Sequence, residues 1–124
     1  MSEKLKRSQM LKSRKTIGEF FLAEGGGVTG KYMYLKVRFN KDKDAPSKLC
    51  VAASAIIGGA VKRNRAKRLL REVYRKMRCR LYDNCDVLLV ARPRILNAEF
   101  EEIVNEFEYN AKRVGILKPE NNSR

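Results

Sequence analysis

Residues 62–80 read KRNRAKRLLREVYRKMRCR, a run in which ten Lys or Arg face the single acid Glu72. Ala66, Leu69, Leu70, Val73, Tyr74, Met77 and Leu81 recur at helical spacing, so at about 100° per residue they gather on one side of a predicted helix. This constrains the whole chain. One face of the helix must lie on an apolar core, and the remaining faces carry unbalanced positive charge. Solvated charged helices intersperse acids at i, i+4 to relieve repulsion, and this one does not.

Arg68, Arg71, Arg75 and Arg78 form a predicted stripe away from the apolar side, continued toward the helix start by Asn64, Arg65 and Lys67. At roughly 1.5 Å per residue the stripe extends about 25 to 30 Å, a length that suits a nucleic-acid backbone better than one small anion. Arg forks also pair bidentately with phosphate and guanine.

The rest of the composition agrees. The net charge is +14 and the sequence pI about 10.1, extreme for a 14.3 kDa chain, and both point to a polyanion or an anionic membrane surface. The apolar stretches are far too short to span a bilayer, and the basic N-terminus leads into no apolar signal core, so a cytoplasmic protein is expected. A chain of 124 residues suits one domain, 1–124, that buries roughly two-thirds of its unfolded surface without disulfide or metal. Cys50, Cys79 and Cys85 are an odd set with no His to complete a zinc site, and read as reduced thiols.

Along the chain, residues 1–15 read as a basic arm and residues 118–124 as a frayed tail. Thr16 and Glu19 form a capping-box pattern for a short helix through Glu24, with Ile17, Phe20 and Phe21 apolar, stopped by Gly25, Gly26 and Gly27. The segment GGGVTGK reads as a flexible turn, because its helix-then-strand order is the reverse of a phosphate-binding loop. In residues 31–39, Met33, Leu35, Val37 and Phe39 alternate with Tyr32, Tyr34, Lys36 and Arg38, which predicts a strand with one core face and one aromatic, basic face. Tyr among Lys and Arg suits single-stranded nucleic acid, where bases stack while cations hold the backbone.

Residues 48–55 read as a second strand of small side chains, and Gly58 and Gly59 open the basic helix. CDVLLVA (85–91) is apolar on both faces, as a central strand is, and ends at Arg92-Pro93-Arg94. A last helix is predicted with Asn97 as N-cap, Glu99, Glu101 and Glu102 near its positive end, and Phe100, Ile103, Val104, Phe107, Ala111 and Val114 toward the core.

Catalytic chemistry finds little support. There is no His to shuttle protons, Glu101, Glu102, Glu106 and Glu108 read as a solvated helix face, and Cys79 and Cys85 have no base to activate them.

The wording Ala60-Val61-Lys62-Arg63-Asn64-Arg65-Ala66-Lys67-Arg68-Leu69-Leu70-Arg71-Glu72 resembles the signature of the bacterial ribonuclease P protein subunit, and the likeness runs from about Leu5 to Leu117. It implies an α+β fold, a single-domain two-layer sandwich of order αβββαβα with a mixed four-stranded sheet and a left-handed βαβ crossover. It also implies partners: the catalytic RNA subunit, which carries the catalytic centre and Mg2+, and precursor tRNA, with no membrane and no obligate protein partner. By the same likeness Lys62, Arg63, Asn64, Arg65, Lys67, Arg68, Arg71 and Arg75 contact the RNA subunit, while Val61, Leu69, Leu70 and Val73 pack. Ile17, Phe20, Phe21, Tyr32, Tyr34 and Lys36 line a cleft for the 5′ leader. Two departures stand out: Ile17 and Phe21 take the place of two Phe four apart, and Ala55 and Ile56 replace the two lysines of the family's usual Ser-Val-Ser-Lys-Lys-x-Gly.

Two other classes fit the basic helix. A ribosomal or assembly protein would use it structurally and ignore a 5′ leader. A DNA-binding module is disfavoured by the aromatic strand and the lack of helix-turn-helix spacing.

Overall fold

The computed structural model describes residues 10–11, 26–40 and 47–119. Its centre is the chain's most apolar segment, β5 (Cys85–Ala91), in which Val87, Leu88 and Leu89 are wholly buried. Such a strand needs cover on both edges and both faces. On one side β3 (Met33–Phe39) pairs with it antiparallel, and on the other β4 (Leu49–Ala52) pairs parallel. The hairpin strand β2 (Gly27–Thr29) closes the β3 edge and the two-residue β1 (Met10–Leu11) runs parallel to β4. The sheet order is therefore β1-β4-β5-β3-β2.

Two long helices cover one face: the basic helix α1 (Ala60–Met77) and the closing helix α2 (Phe100–Val114). Met33, Leu35 and Val37 of β3 and Val87, Leu89 and Ala91 of β5 meet Leu70, Val73, Tyr74 and Met77 of α1 and Ile103, Phe107 and Ala111 of α2 in one core. Each large side chain enclosed there contributes about 1.5–3 kcal/mol. The register makes this possible, because Leu35 lies opposite Leu89 and Val37 opposite Val87, while Lys36 lies opposite Leu88 and Arg38 opposite Asp86 on the other face.

α1 is the crossover between the parallel neighbours β4 and β5. The chain turns into it through a 3-10 turn (Ala55–Ile57) and Gly58, whose φ of 137° and ψ of −157° lie in a region essentially reserved for glycine.

The α+β architecture matches expectation, with differences that have physical causes. The expected four-stranded mixed sheet is present as β4-β5-β3-β2, and β1 adds a fifth strand by drawing part of the basic arm onto the open edge of β4. Gly27, Val28 and Thr29, expected as a turn, pair with Lys36, Leu35 and Tyr34. α2 starts two residues later than predicted: residues 93–97 form a 3-10 turn, and Glu99 is the N-cap, its N–H donating to the Glu102 carboxylate at 3.0 Å in a capping box. Phe39, Val61 and Phe100, expected to pack, are exposed, since each sits at the end of its element where the neighbouring layer no longer reaches. Of the tail expected from residue 118, Lys118 donates its N–H to the Arg80 carbonyl at 2.8 Å, and residues 120–124 lie outside the described residues. The helix expected at residues 16–24 lies outside the described residues.

Candidate nucleic-acid interface

The N-terminal half of α1 concentrates exposed charge. Lys62, Asn64, Arg65 and Arg68 are exposed, with Arg63 and Lys67 half-buried beside them. Along the helix axis Lys62 and Arg68 are about 9 Å apart, so this exposed charge is concentrated within less than two turns. The helix start reinforces the cations: the N-cap is Gly59, no side chain caps the free N–H groups, and the first turn holds no acid. The positive end of the helix dipole therefore adds to the side chains, whereas in α2 Glu101 and Glu102 offset it.

The C-terminal half of the expected stripe is more engaged with the protein. Arg75 pairs with Glu72, Arg71 is half-buried with its Nε enclosed, and Arg78 is half-buried. These side chains lie closer to the packed face than an ideal wheel suggests, because Leu70, Tyr74 and Met77 carry the helix deep into the core. The eight predicted RNA-subunit contacts thus share one helix, with the best-exposed members before Leu69.

The aromatic and basic strand resolves into two environments. Tyr34, Lys36 and Arg38 share the sheet face opposite the long helices with Asp86, Leu88, Val90 and Cys50. Tyr32 does not join them. It precedes β3, its ring packs with the main core at 9% exposure, and the Lys31 ammonium lies 5.6 Å from the ring centroid. Its backbone explains the departure from alternation, since the Lys31, Tyr32 and Met33 amides all donate to the Glu106 carboxylate. Lys36 is itself only 9% exposed. Ile17, Phe20 and Phe21, the other predicted leader contacts, lie outside the described residues.

Sequence reasoning missed the polar node that braces this face. Asp86, 2% exposed, accepts from Arg38 Nε at 3.2 Å and Nη2 at 2.8 Å, from Asn40 Nδ2 at 3.1 Å and from the Lys48 N–H at 3.0 Å. An acid inside an otherwise apolar strand was the available signal. Its negative charge, together with burial, acts on Cys85: burial first, then Asp86 and Asp83, push that thiol up to about 11. Burial also raises Cys50, and Cys79 is exposed. Among the described residues no group of three or more His, Cys, Asp or Glu is placed to hold a metal, and no helix is long and apolar enough to cross a membrane.

A basic helix on a mixed sheet is shared by known proteins. The family model described as Ribonuclease P matches residues 5–115. The chain belongs to the ribonuclease P protein family.

Members with curated names agree in length as well as sequence. The ribonuclease P protein component of Symbiobacterium thermophilum is 31% identical over 116 residues, covering 94% of this chain and 99% of that protein. That of Shouchella clausii is 27% identical over 115 residues, covering 93% of each. The Staphylococcus aureus RNase P protein superposes with a TM-score of 0.73 at 20% identity, covering 89% of this chain and 98% of its own. The RNase P protein from Thermotoga maritima gives 0.69 at 22% identity, covering 82% and 93%. These structural likenesses establish the fold, and the family match establishes kinship with the protein component of a tRNA-processing enzyme.

Proposed function

We propose that this chain, as one cytoplasmic RNA-binding domain, docks on the catalytic RNA subunit of ribonuclease P through α1, and that the complex removes the 5′ leader of precursor tRNA. The observation that carries this reading is the start of α1. Lys62, Arg63, Arg65, Lys67 and Arg68 crowd an uncapped helix end with no acid in its first turn. A phosphate backbone neutralises that charge and occupies the free N–H groups together.

In this reading Arg63, Arg65 and Arg68 fork onto phosphates, Lys62 and Lys67 add point charges, Asn64 hydrogen-bonds, and Arg71 and Arg75 extend the contact along the helix. The leader runs over the second sheet face, where Tyr34 offers a ring for stacking and Lys36 a cation, with Tyr32 supporting it from the core side; the family resemblance adds Ile17, Phe20 and Phe21 as leader contacts. The catalytic centre and its Mg2+ belong to the RNA, whose phosphates attract a divalent ion that the cations of α1 repel. The protein's contribution is to bind and orient.

Binding of a bacterial ribonuclease P RNA across a salt series tests the docking face. Arg65→Ala or Arg68→Ala weakens binding and lowers the salt slope by about 1 per lost phosphate contact, with the fold unchanged by circular dichroism. Unchanged affinity and slope would remove α1 as the RNA face.

A further inference from the structure

A second basic concavity lies at the far end of α1, about 25 Å along the helix from its exposed start. It encloses about 440 Å3 between the end of α1, the last turns of α2 and the C-terminal segment, and Arg80, Tyr82, Glu108, Lys112 and Lys118 line it. Its floor is built rather than incidental. Lys118 donates its N–H to the Arg80 carbonyl at 2.8 Å, Tyr82 donates to the Ile116 carbonyl at 2.9 Å, and Leu81 bridges to Leu117. This short antiparallel pairing holds the two strands of the wall together.

The lining has the chemistry of a nucleotide site. Three cations meet one acid, and that acid, Glu108, is turned to Arg80 at 3.3 Å. Among the described residues the ammonium groups of Lys112 and Lys118 have no protein acceptor. Tyr82, 40% exposed, lines the same concavity as these two lysines, so an exposed aromatic side chain and two cations share one wall. Cations for a phosphate beside an aromatic ring for a base is the arrangement by which proteins hold single-stranded nucleic acid.

We propose that this concavity binds one nucleotide unit, its phosphate between Lys112 and Lys118 and its base against Tyr82, apart from the face of α1 that carries the signature. The unit belongs either to an RNA strand or to a free nucleoside monophosphate. The proposal does not rest on the ribonuclease P reading, because its test uses the full chain alone.

The test is a heteronuclear NMR titration with adenosine monophosphate, a five-nucleotide single-stranded RNA and inorganic phosphate. Both nucleotide ligands shift signals of Tyr82, Lys112, Gly115 and Lys118. The double variant Lys112→Glu with Lys118→Glu weakens this by about tenfold or more, and Tyr82→Ala weakens the nucleotides but not phosphate. Glu108→Gln strengthens binding, because it frees Arg80 and removes the competing charge, an effect that a purely structural pocket would not show. A pentamer that binds more tightly than the monophosphate identifies a strand site; equal affinities identify a free-nucleotide site. Shifts confined to residues 60–71, or shifts at Tyr82 that survive the double charge reversal, overturn the proposal.

Discussion

Glu106 and Tyr32 are joined across the two layers of the fold: from α2, Oε2 of Glu106 accepts the backbone N–H of Tyr32 at 2.9 Å. The same carboxylate accepts the Lys31 N–H at 2.7 Å and the Met33 N–H at 3.1 Å, so one side chain satisfies three successive amides at the entry to β3. Gly30 lies against this carboxylate, and a Cβ there would collide with it.

Glu106→Ala leaves those amides without their acceptor, two of them partly buried, and lowers stability by about 1–3 kcal/mol. Glu106→Gln keeps one oxygen and loses less. Urea denaturation of the three proteins measures the order; an alanine variant as stable as the parent would show that water replaces the carboxylate at no cost.

Asp86 holds the opposite face in the same manner. Asp86→Ala takes one carboxylate partner from Arg38 and leaves the Asn40 amide and the Lys48 N–H without this acceptor, and costs about 1–3 kcal/mol, the range for buried donors that lose their acceptor. Arg38→Ala costs less, because Arg38 is partly exposed and Asp86 keeps its other donors. Denaturation midpoints compare the two, and equal losses would contradict this ranking.

Stability also falls in alkali, with a window set by Cys85 and Tyr74, and the Cys50 thiol, raised by burial as well, adds to the fall. Burial, with Asp86 and Asp83, pushes the Cys85 thiol from 9.0 up to about 11, and burial pushes the Tyr74 hydroxyl from 10.0 up to about 12. In each case the folded chain holds the proton more tightly than the unfolded chain. The stabilisation is complete below pH 9 and is lost as pH rises through 11 and then 12. Urea midpoints across that range record the fall, and Cys85→Ala flattens its first part. A midpoint constant through pH 11 would contradict the assignment.

Much of this was legible in the chain before its structure. The apolar stripe from Ala66 to Met77 and the double-sided apolar strand 85–91 give α1 and β5 directly, because long or strongly patterned segments leave one way to bury their apolar area. β1 and β2 were not legible. Two- and three-residue strands carry no period of their own and exist because β4 and β3 offer open edges. Alternation placed Met33, Leu35 and Val37 correctly but carried Tyr32 to the wrong face, since Glu106, distant in sequence, takes its amide out of the ladder pattern. The site was half legible. Composition located the basic helix, but which arginines stand in solvent depended on how deeply Leu70 and Tyr74 draw α1 into the core.

In the proposed role this chain is the protein component that assists a catalytic RNA. Cleavage of a 5′-labelled precursor tRNA by the cognate ribonuclease P RNA at low magnesium, with and without the protein, tests it most directly. The leader is removed at the mature 5′ end only when the protein is present, and that stimulation is lost with Arg65→Ala and Arg68→Ala combined. Tight binding to the RNA with no stimulation of cleavage would contradict this role and identify a structural RNA-binding protein instead.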